Sequence, residues 1–385
     1  MLDIVEGKEL RGIDGIAFRS EGIELTGERL LIDDIDRIPQ PAKHLFPLSK
    51  YRALDAHMGL ITGRGCPFNC IFCVGSRMVG RKVRYRNPKL VVDEIESALS
   101  LGFDEVNLED DLVTLDHRHI YAICDEIMAR GLKFRWSAFS RVDTVNPEVL
   151  RRMREAGCSW IVYGVESGNQ RILDTVKKKV TLEKAREAAR MANVEGIPVM
   201  ASFILGLPGE TRNTLRETIE FAEMLEASYG LHVLAPFPGT EVRERADEYG
   251  IEILTDDWSR YDANRAITRT EDVGPEEINE TLRRYYEQIR PSVLLKSERG
   301  KGSDGAISAQ PKRKNSLAWT LLQGDVIEGL GEMEMNGDPA QCLAGRLAEV
   351  LHYPYHEVSD DVIRWVGEGL LNYERSDGRM CWRWS

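Results

Sequence analysis

Three cysteines crowd into one short stretch, Arg64-Gly65-Cys66-Pro67-Phe68-Asn69-Cys70-Ile71-Phe72-Cys73. A C-x3-C-x2-C spacing on a single loop, directly after a predicted strand, lets three thiolates wrap a cubane iron–sulfur cluster. Three ligands for four irons leave one iron without a protein thiolate. As in catalytic zinc sites, the open coordination position is the reactive one. Gly65, Pro67 and Gly75 allow the loop to fold back around such a cluster. A zinc site needs a fourth ligand at a neighbouring spacing, and Val74-Gly75-Ser76 supplies neither Cys nor His. A simple electron-transfer cluster needs a fourth Cys as well. The remaining cysteines, Cys124, Cys158, Cys342 and Cys381, are scattered and read as buried small hydrophobes.

The elements that must position this loop follow from the pattern around it. From about 57 to 240, short β-rich runs alternate with stretches of 3.6-residue apolar periodicity. The strand candidates are Gly59–Thr62, Glu105–Leu108, Phe134–Ala138, Trp160–Val165, Val199–Leu205 and Leu231–Ala235. Asn87-Pro88 and Asn146-Pro147 pair an N-cap with a proline in the first turn, and Thr181 caps a further helix. Such units call for a parallel sheet with right-handed crossovers. Six strands fall short of the eight of a closed barrel, so the expected fold is α/β, a partial open (β/α)6 TIM-type barrel with room for a large substrate.

The chain divides into four regions: a hairpin and proline-stiffened connector over 1–56, the barrel with a helical extension over 57–295, a Gly-, Ser- and charge-rich linker over 296–316, and a small, mainly helical domain over 317–385. Helices are expected near 317–330, 339–351 and 359–372. A mean hydropathy of −0.33 and the lack of any long apolar run argue against a membrane span. The N-terminus carries no basic n-region, which points to a reducing, cytoplasmic compartment rather than a disulfide scaffold. With 63 acids against 51 bases the net charge is −12, which disfavours nucleic-acid binding by bulk charge.

The triplet, with Phe72 immediately before its last cysteine, resembles the signature of radical S-adenosylmethionine (radical SAM) enzymes, over about residues 57–240. The resemblance implies a 4Fe-4S cluster held by Cys66, Cys70 and Cys73, whose open iron chelates S-adenosylmethionine. It also implies reductive cleavage to a 5′-deoxyadenosyl radical that abstracts hydrogen from an unactivated C–H, in methylation or rearrangement chemistry. Cofactor contacts are then expected at successive strand ends. Glu109-Asp110-Asp111 offers acceptors for the methionine ammonium, with Asp110 favoured and Asp111 beside it. Arg141 faces the carboxylate and Glu166 the ribose. Ile204 and Gly206, within Leu205-Gly206-Leu207-Pro208-Gly209-Glu210, flank the adenine, and Pro236 supplies a backbone edge for it. Taken singly, each has a bland structural reading: Glu210 near a helix N-terminus, a solvated Asp pair, an ordinary salt bridge. Their order along the strand ends is what carries the resemblance.

The acidic variant after the second strand is similar to the cobalamin-associated branch of the family. Residues 1–56 resemble the tail that follows a cobalamin-binding domain, with that domain missing or truncated. A separate cobalamin-binding partner, or chemistry without cobalamin, both stay open. Asp55-Ala56-His57-Met58-Gly59 is one residue short of a cobalamin motif and is set aside. His117 and His119 read as surface residues, and Pro354 breaks the helix that would align His352 with His356. Residues 64–90 carry seven bases and no acid. They read as a solvated loop, as a contact for substrate phosphates, or as a dock for an acidic flavodoxin- or ferredoxin-type electron donor. The segment Asp360 to Leu371 resembles the winged-helix modules attached to peptide-modifying radical enzymes. The substrate classes compatible with this reading are a small molecule, a lipid or a peptide. A tRNA methylthiotransferase-like RNA modifier and a zinc-stabilised regulatory module are the alternatives.

Overall fold

The computed structural model describes residues 2–286 apart from Leu54, together with 327, 330, 332–334, 337–351, 355–376 and 379–385. The expected linker over 296–316 and His352 lie outside the described residues, as does most of the helix expected near 317–330.

The N-terminal hairpin pairs β1 (Ala17–Arg19) with β2 (Ile23–Leu25). A short helix, α1 (Leu48–Ala53), then leads to β3 (Met58–Leu60). The cysteine loop follows β3 and ends in α2 (Gly75–Val79). From there strand and helix alternate: α3 (Pro88–Ser100), β4 (Glu105–Leu108), α4 (His117–Ala129), β5 (Arg135–Ser140), α5 (Pro147–Glu155) and β6 (Cys158–Glu166). The series continues through α6 (Gln170–Thr175), α7 (Leu182–Val194), β7 (Val199–Leu205), α8 (Arg212–Met224), β8 (Ser228–Val233) and α9 (Pro275–Arg284). The strands form one six-stranded sheet in the order β8-β7-β6-β5-β4-β3. Every pairing is parallel. Sequential strands lie side by side and the sheet does not close, as a partial TIM-type barrel requires.

Local signals account for the helix starts. The Asn87 side chain accepts from Lys89 N at 3.0 Å, Asn146 from Val149 N at 2.9 Å and Thr181 from Lys184 N at 3.2 Å. One face of each strand packs under the helices: Val106, Leu108, Ile161, Tyr163, Val199 and Phe203 are all buried in the main core. The opposite face lines the concave side. His119 departs from its expected surface position. It lies on the same flank of α4 as the buried Ile120 and Ile123 and stacks on Tyr85 with ring centroids 4.5 Å apart. His117 Nε2 donates to the Thr144 carbonyl at 2.9 Å.

Much of the basic stretch is internal scaffolding. Arg84 donates to the Ile32 and Val79 carbonyls at 2.6 and 2.5 Å, which ties the connector to the end of the cysteine loop. Arg86 donates to the Ile61 carbonyl at 3.0 Å and pairs with Glu94 at 2.6 Å.

The C-terminal unit comprises β9 (Glu332–Glu334), α10 (Pro339–Leu351), α11 (Tyr355–Gly367), β10 (Leu371–Ser376) and β11 (Arg379–Trp384). The strands pair antiparallel in the order β9-β11-β10. The helix expected over 359–372 begins and ends earlier, because Gly369 takes a left-handed φ of +67° and stops it. Beyond it buried Leu371 and half-buried Tyr373 alternate with exposed Asn372 and Glu374, a strand period. The unit shares its core with Ala53 of α1, and Trp365 Nε1 donates to the Ala53 carbonyl at 3.0 Å.

Candidate active site

The cysteine loop is held from beneath. Ile71 is 1% exposed and packs with Ile172, Val176, Leu207, Leu234 and Val242, with Phe72 and Ile204 against the same cluster. Its amide donates to the Val176 carbonyl at 3.2 Å and its carbonyl accepts from Val242 N at 3.0 Å. The residue between the second and third cysteines thus nails the loop to three other loops at the C-terminal edge of the sheet. Cys66 N donates to the Gly80 carbonyl at 3.1 Å, and Cys73 N to the Cys70 carbonyl at 3.2 Å. Gly65 has a φ of +119°, and a Cβ there would lie 2.5 Å from the Lys82 carbonyl oxygen, so the loop entry accepts only glycine.

The donors suit a cubane. Gly75 N–H points at Cys73 Sγ from 3.3 Å, and Arg141 Nη1 lies 3.9 Å from Cys70 Sγ. N–H···S contacts of this kind stabilise cluster sulfurs. Burial pushes all three thiols above the ordinary cysteine range. A metal must therefore displace their protons. Among the described residues no three Cys, His, Asp or Glu groups converge as a single-ion site.

Asp110 and Asp111 go to different places. Asp110 is buried and accepts from Thr62 N at 2.6 Å and Thr62 Oγ1 at 2.5 Å; burial is the main reason its carboxyl is pushed up to about 6. It fastens β3 to β4 rather than facing the cysteines. Asp111 accepts from Gly65 N at 3.3 Å, and its Oδ1 would lie 2.9 Å from a Cβ on Gly75, so it stands at the cysteine loop. The structure therefore brings Asp111, and not the favoured Asp110, to the cysteine loop.

Arg141, 3% exposed, is already committed as a fork to Asp143 at 2.8 and 3.0 Å and donates to the Lys178 carbonyl at 2.7 Å. Its guanidinium also stacks over Phe68, 3.7 Å from the ring centroid. Only Nη1 is left facing Cys70. The neighbouring ammonium of Lys178 escaped the sequence reading. It donates to Glu166 Oε1 at 2.6 Å, with both side chains under a tenth exposed. Three non-glycine residues here have a left-handed backbone: Glu166 at φ +73°, Lys177 at +55° and Lys179 at +57°. Strain of this kind survives where the surroundings impose it, often at functional sites. The register shift between Gly164 and Glu166 ends β6 in a bulge that turns Glu166 onto Lys178. A Cβ on Gly164 would lie 2.5 Å from Glu166 Oε1 and 3.0 Å from Lys178 Nζ. The one sequence cue was Lys177-Lys178-Lys179 after a helix, which normally reads as a solvated run.

Ile204 is half-buried at the end of β7, and Gly206 turns the chain with φ +85°. Pro236 follows β8, and its carbonyl already accepts from Arg243 Nη1 at 3.1 Å. Glu210 is 1% exposed and accepts from Gly206 N, while its Oε1 meets no hydrogen-bond partner among the described residues. Burial pushes its carboxyl up from 4.5 to about 8, against the pull of the Gly206 and Leu207 amides. Because the folded value lies above the unfolded one, the contribution is full below about pH 4.5 and is lost as pH rises through about 8. Glu210→Gln should therefore flatten the fall in unfolding free energy between those limits, measured by urea titration at several pH values; an unchanged slope would contradict the assignment.

Residues 60–222 match the family description "Radical SAM superfamily". This stretch is a radical SAM domain. It is 35% identical over 297 residues to an uncharacterised methyltransferase of Pyrococcus horikoshii, covering 76% of this chain and 64% of that one. Another similar protein is the anaerobic magnesium-protoporphyrin IX monomethyl ester cyclase of Cereibacter sphaeroides, 33% identical over 297 residues, covering 72% and 47%. The chain thus spans about half to just under two thirds of these relatives. Among solved structures, the radical S-adenosylmethionine methyltransferase TsrM of Kitasatospora setae, with cobalamin and a [4Fe-4S] cluster bound, superposes with a TM-score of 0.56 at 19% identity, covering 96% of this chain and 75% of that one. That likeness speaks for the fold of this radical SAM chain. No described helix is long and apolar enough to cross a membrane.

Proposed function

We propose that this radical SAM protein is an enzyme that cleaves S-adenosylmethionine reductively and modifies an unactivated C–H position, with methyl transfer as the reaction class. The observation that carries this is convergence: groups that follow β4, β5 and β6 meet the cysteine loop after β3, with Asp111 at Gly65 N, Arg141 Nη1 3.9 Å from Cys70 Sγ and the buried Lys178–Glu166 pair beside Cys70. When bound, the cluster and S-adenosylmethionine supply the 5′-deoxyadenosyl radical chemistry. The chain's own residues do the holding. Cys66, Cys70 and Cys73 ligate the cluster. Asp111 accepts from the methionine ammonium, and Lys178 offers a desolvated cation to the carboxylate while Arg141, fixed by Asp143, orients the loop. Glu166 faces the ribose, and Ile204 with the turn at Gly206 forms the adenine slot, beside the chain at Pro236.

Methyl transfer is supported by the similarity to proteins named methyltransferases, and involvement of cobalamin, from this polypeptide or a partner, belongs to the same proposal. Arg77, Arg81 and Lys82 are exposed around α2 and suit an acidic flavodoxin- or ferredoxin-type donor. The C-terminal helix–helix–hairpin unit reads as winged-helix-like. After anaerobic reconstitution the protein should hold about four irons and four sulfides per chain with a visible charge-transfer band. A colourless chain holding about one zinc would overturn the reading.

A further inference from the structure

The concave face of the sheet is built from the strand positions that the helices leave uncovered. On β5, in the interior of the sheet, Phe139 is 43% exposed. A phenylalanine on an inner strand of a helix-covered sheet can be that exposed only where the uncovered face opens onto a cavity. Its parallel partner on β6 is Val162, which pairs in turn with Met200 on β7. One register step away, Ser137 pairs with Trp160. Val162, Met200 and Trp160 are all only half-buried, so an apolar strip with two rings and a thioether crosses a face that also carries Asn107, Ser137, Ser202 and the exposed His232.

Charge is sparse on this wall and its placement is informative. At the N-terminal end of β4, Glu105 is compensated, with Arg135 at 3.0 Å and His57 at 3.7 Å. Two residues past Asn107 on the same face, Glu109 is exposed and has no ion-pair partner among the described residues. Its carboxylate lies over Gly59 of β3, where a Cβ would come within 3.1 Å of it. The pleat explains the division among the three consecutive acids. Asp110 turns to Thr62 behind the sheet, Asp111 follows at the loop, and Glu109 alone takes the concave side.

We propose that this concave wall is the substrate site and that it takes a ring-bearing, mostly apolar molecule with a cationic nitrogen, the ring lying on Phe139 and Trp160 and the cation meeting Glu109. The assignment rests on the functional reading above and adds the chemical class of the substrate. A carboxylate at the edge of a face whose inner strands carry two rings lets one molecule set its cation on Glu109 and its ring on the aromatics, by charge and by the ring quadrupole. The same carboxylate repels an acidic substrate.

The test is isothermal titration of the reconstituted protein, saturated with S-adenosylmethionine, with three probes: phenethylamine, 3-phenylpropionate and propylamine. Phenethylamine should bind at least about tenfold more tightly than either of the others. Glu109→Gln should remove most of that advantage over phenylpropionate, and Gly59→Ala, which crowds the Glu109 carboxylate, should reduce it. Phe139→Ala should weaken the two ring-bearing probes and leave propylamine unchanged. Equal binding of the amine and the acid, no binding of either, or indifference to Glu109→Gln would overturn the proposal. Binding needs no turnover, so a chain that discriminates the probes but forms no 5′-deoxyadenosine would refute the enzymatic reading while sustaining the cationic site.

Discussion

Cys70→Ala is expected to reduce 5′-deoxyadenosine formation to background and to lower the reconstituted iron content. Cys70 is the thiolate on which the other strand ends converge: Arg141 Nη1 lies 3.9 Å from its sulfur, and Lys178 and Arg141 are the largest charge influences on it after burial. With three thiolates in the loop, losing one removes a cluster corner that no neighbouring thiolate or imidazole replaces, since Val74-Gly75-Ser76 supplies neither Cys nor His. The fold itself should persist, because the loop is anchored by Ile71 and not by the sulfur. Circular dichroism and iron analysis on one preparation separate the effects. A Cys70→Ala protein that still released 5′-deoxyadenosine would contradict the ligand assignment, whereas the same substitution at Cys342 should change neither readout.

The second large effect is expected at the buried pair. Lys178→Met leaves the Glu166 carboxylate without its cation at a position where both side chains are nearly enclosed, 7% and 9% exposed. Stranding a buried charge in this way costs about 3–5 kcal/mol of folding stability. The double variant Lys178→Met with Glu166→Gln removes both charges together and should recover most of that loss. S-adenosylmethionine affinity should behave differently. Loss of a charge-assisted contact to the carboxylate weakens binding by about 10- to 100-fold, and the double variant does not recover it. Urea denaturation and equilibrium dialysis are the two measurements. A double variant that bound S-adenosylmethionine like the parent chain would reduce the pair to a structural strut.

The same logic bears on the neighbouring arginine. Arg141 matched its expected place at the end of a strand, yet most of its donors are spent on Asp143 and the Lys178 carbonyl. It works as the brace that holds Lys178's backbone and the Phe68 side of the cysteine loop. A substitution there should disturb cluster assembly as well as cofactor affinity, which sets it apart from Lys178→Met.

What could be read directly from the chain was whatever depends on neighbours in sequence. The C-x3-C-x2-C spacing, the Asn-Pro helix starts and the alternation of β-rich and helical runs are local, and the local chemistry is enough to specify a three-cysteine loop after the first strand and a sheet that runs parallel. Even the strands Glu105–Leu108 and Val199–Leu205 end where the pattern puts them. Only the tertiary structure decided how side chains are shared out. Three adjacent acids look alike in sequence, but the phase of the pleat sends Glu109, Asp110 and Asp111 to the concave face, to Thr62 and to the cysteine loop. Lys178 looks like one of three solvated lysines until left-handed residues on both sides swing it inward onto Glu166. Arg84, placed in a basic collar by its neighbours in sequence, is turned inward to carbonyls that lie far apart along the chain. Spacing fixes which groups are close along the backbone, whereas the direction a side chain takes is set by which surface its strand or turn must bury. That second condition exists only once the whole sheet has formed.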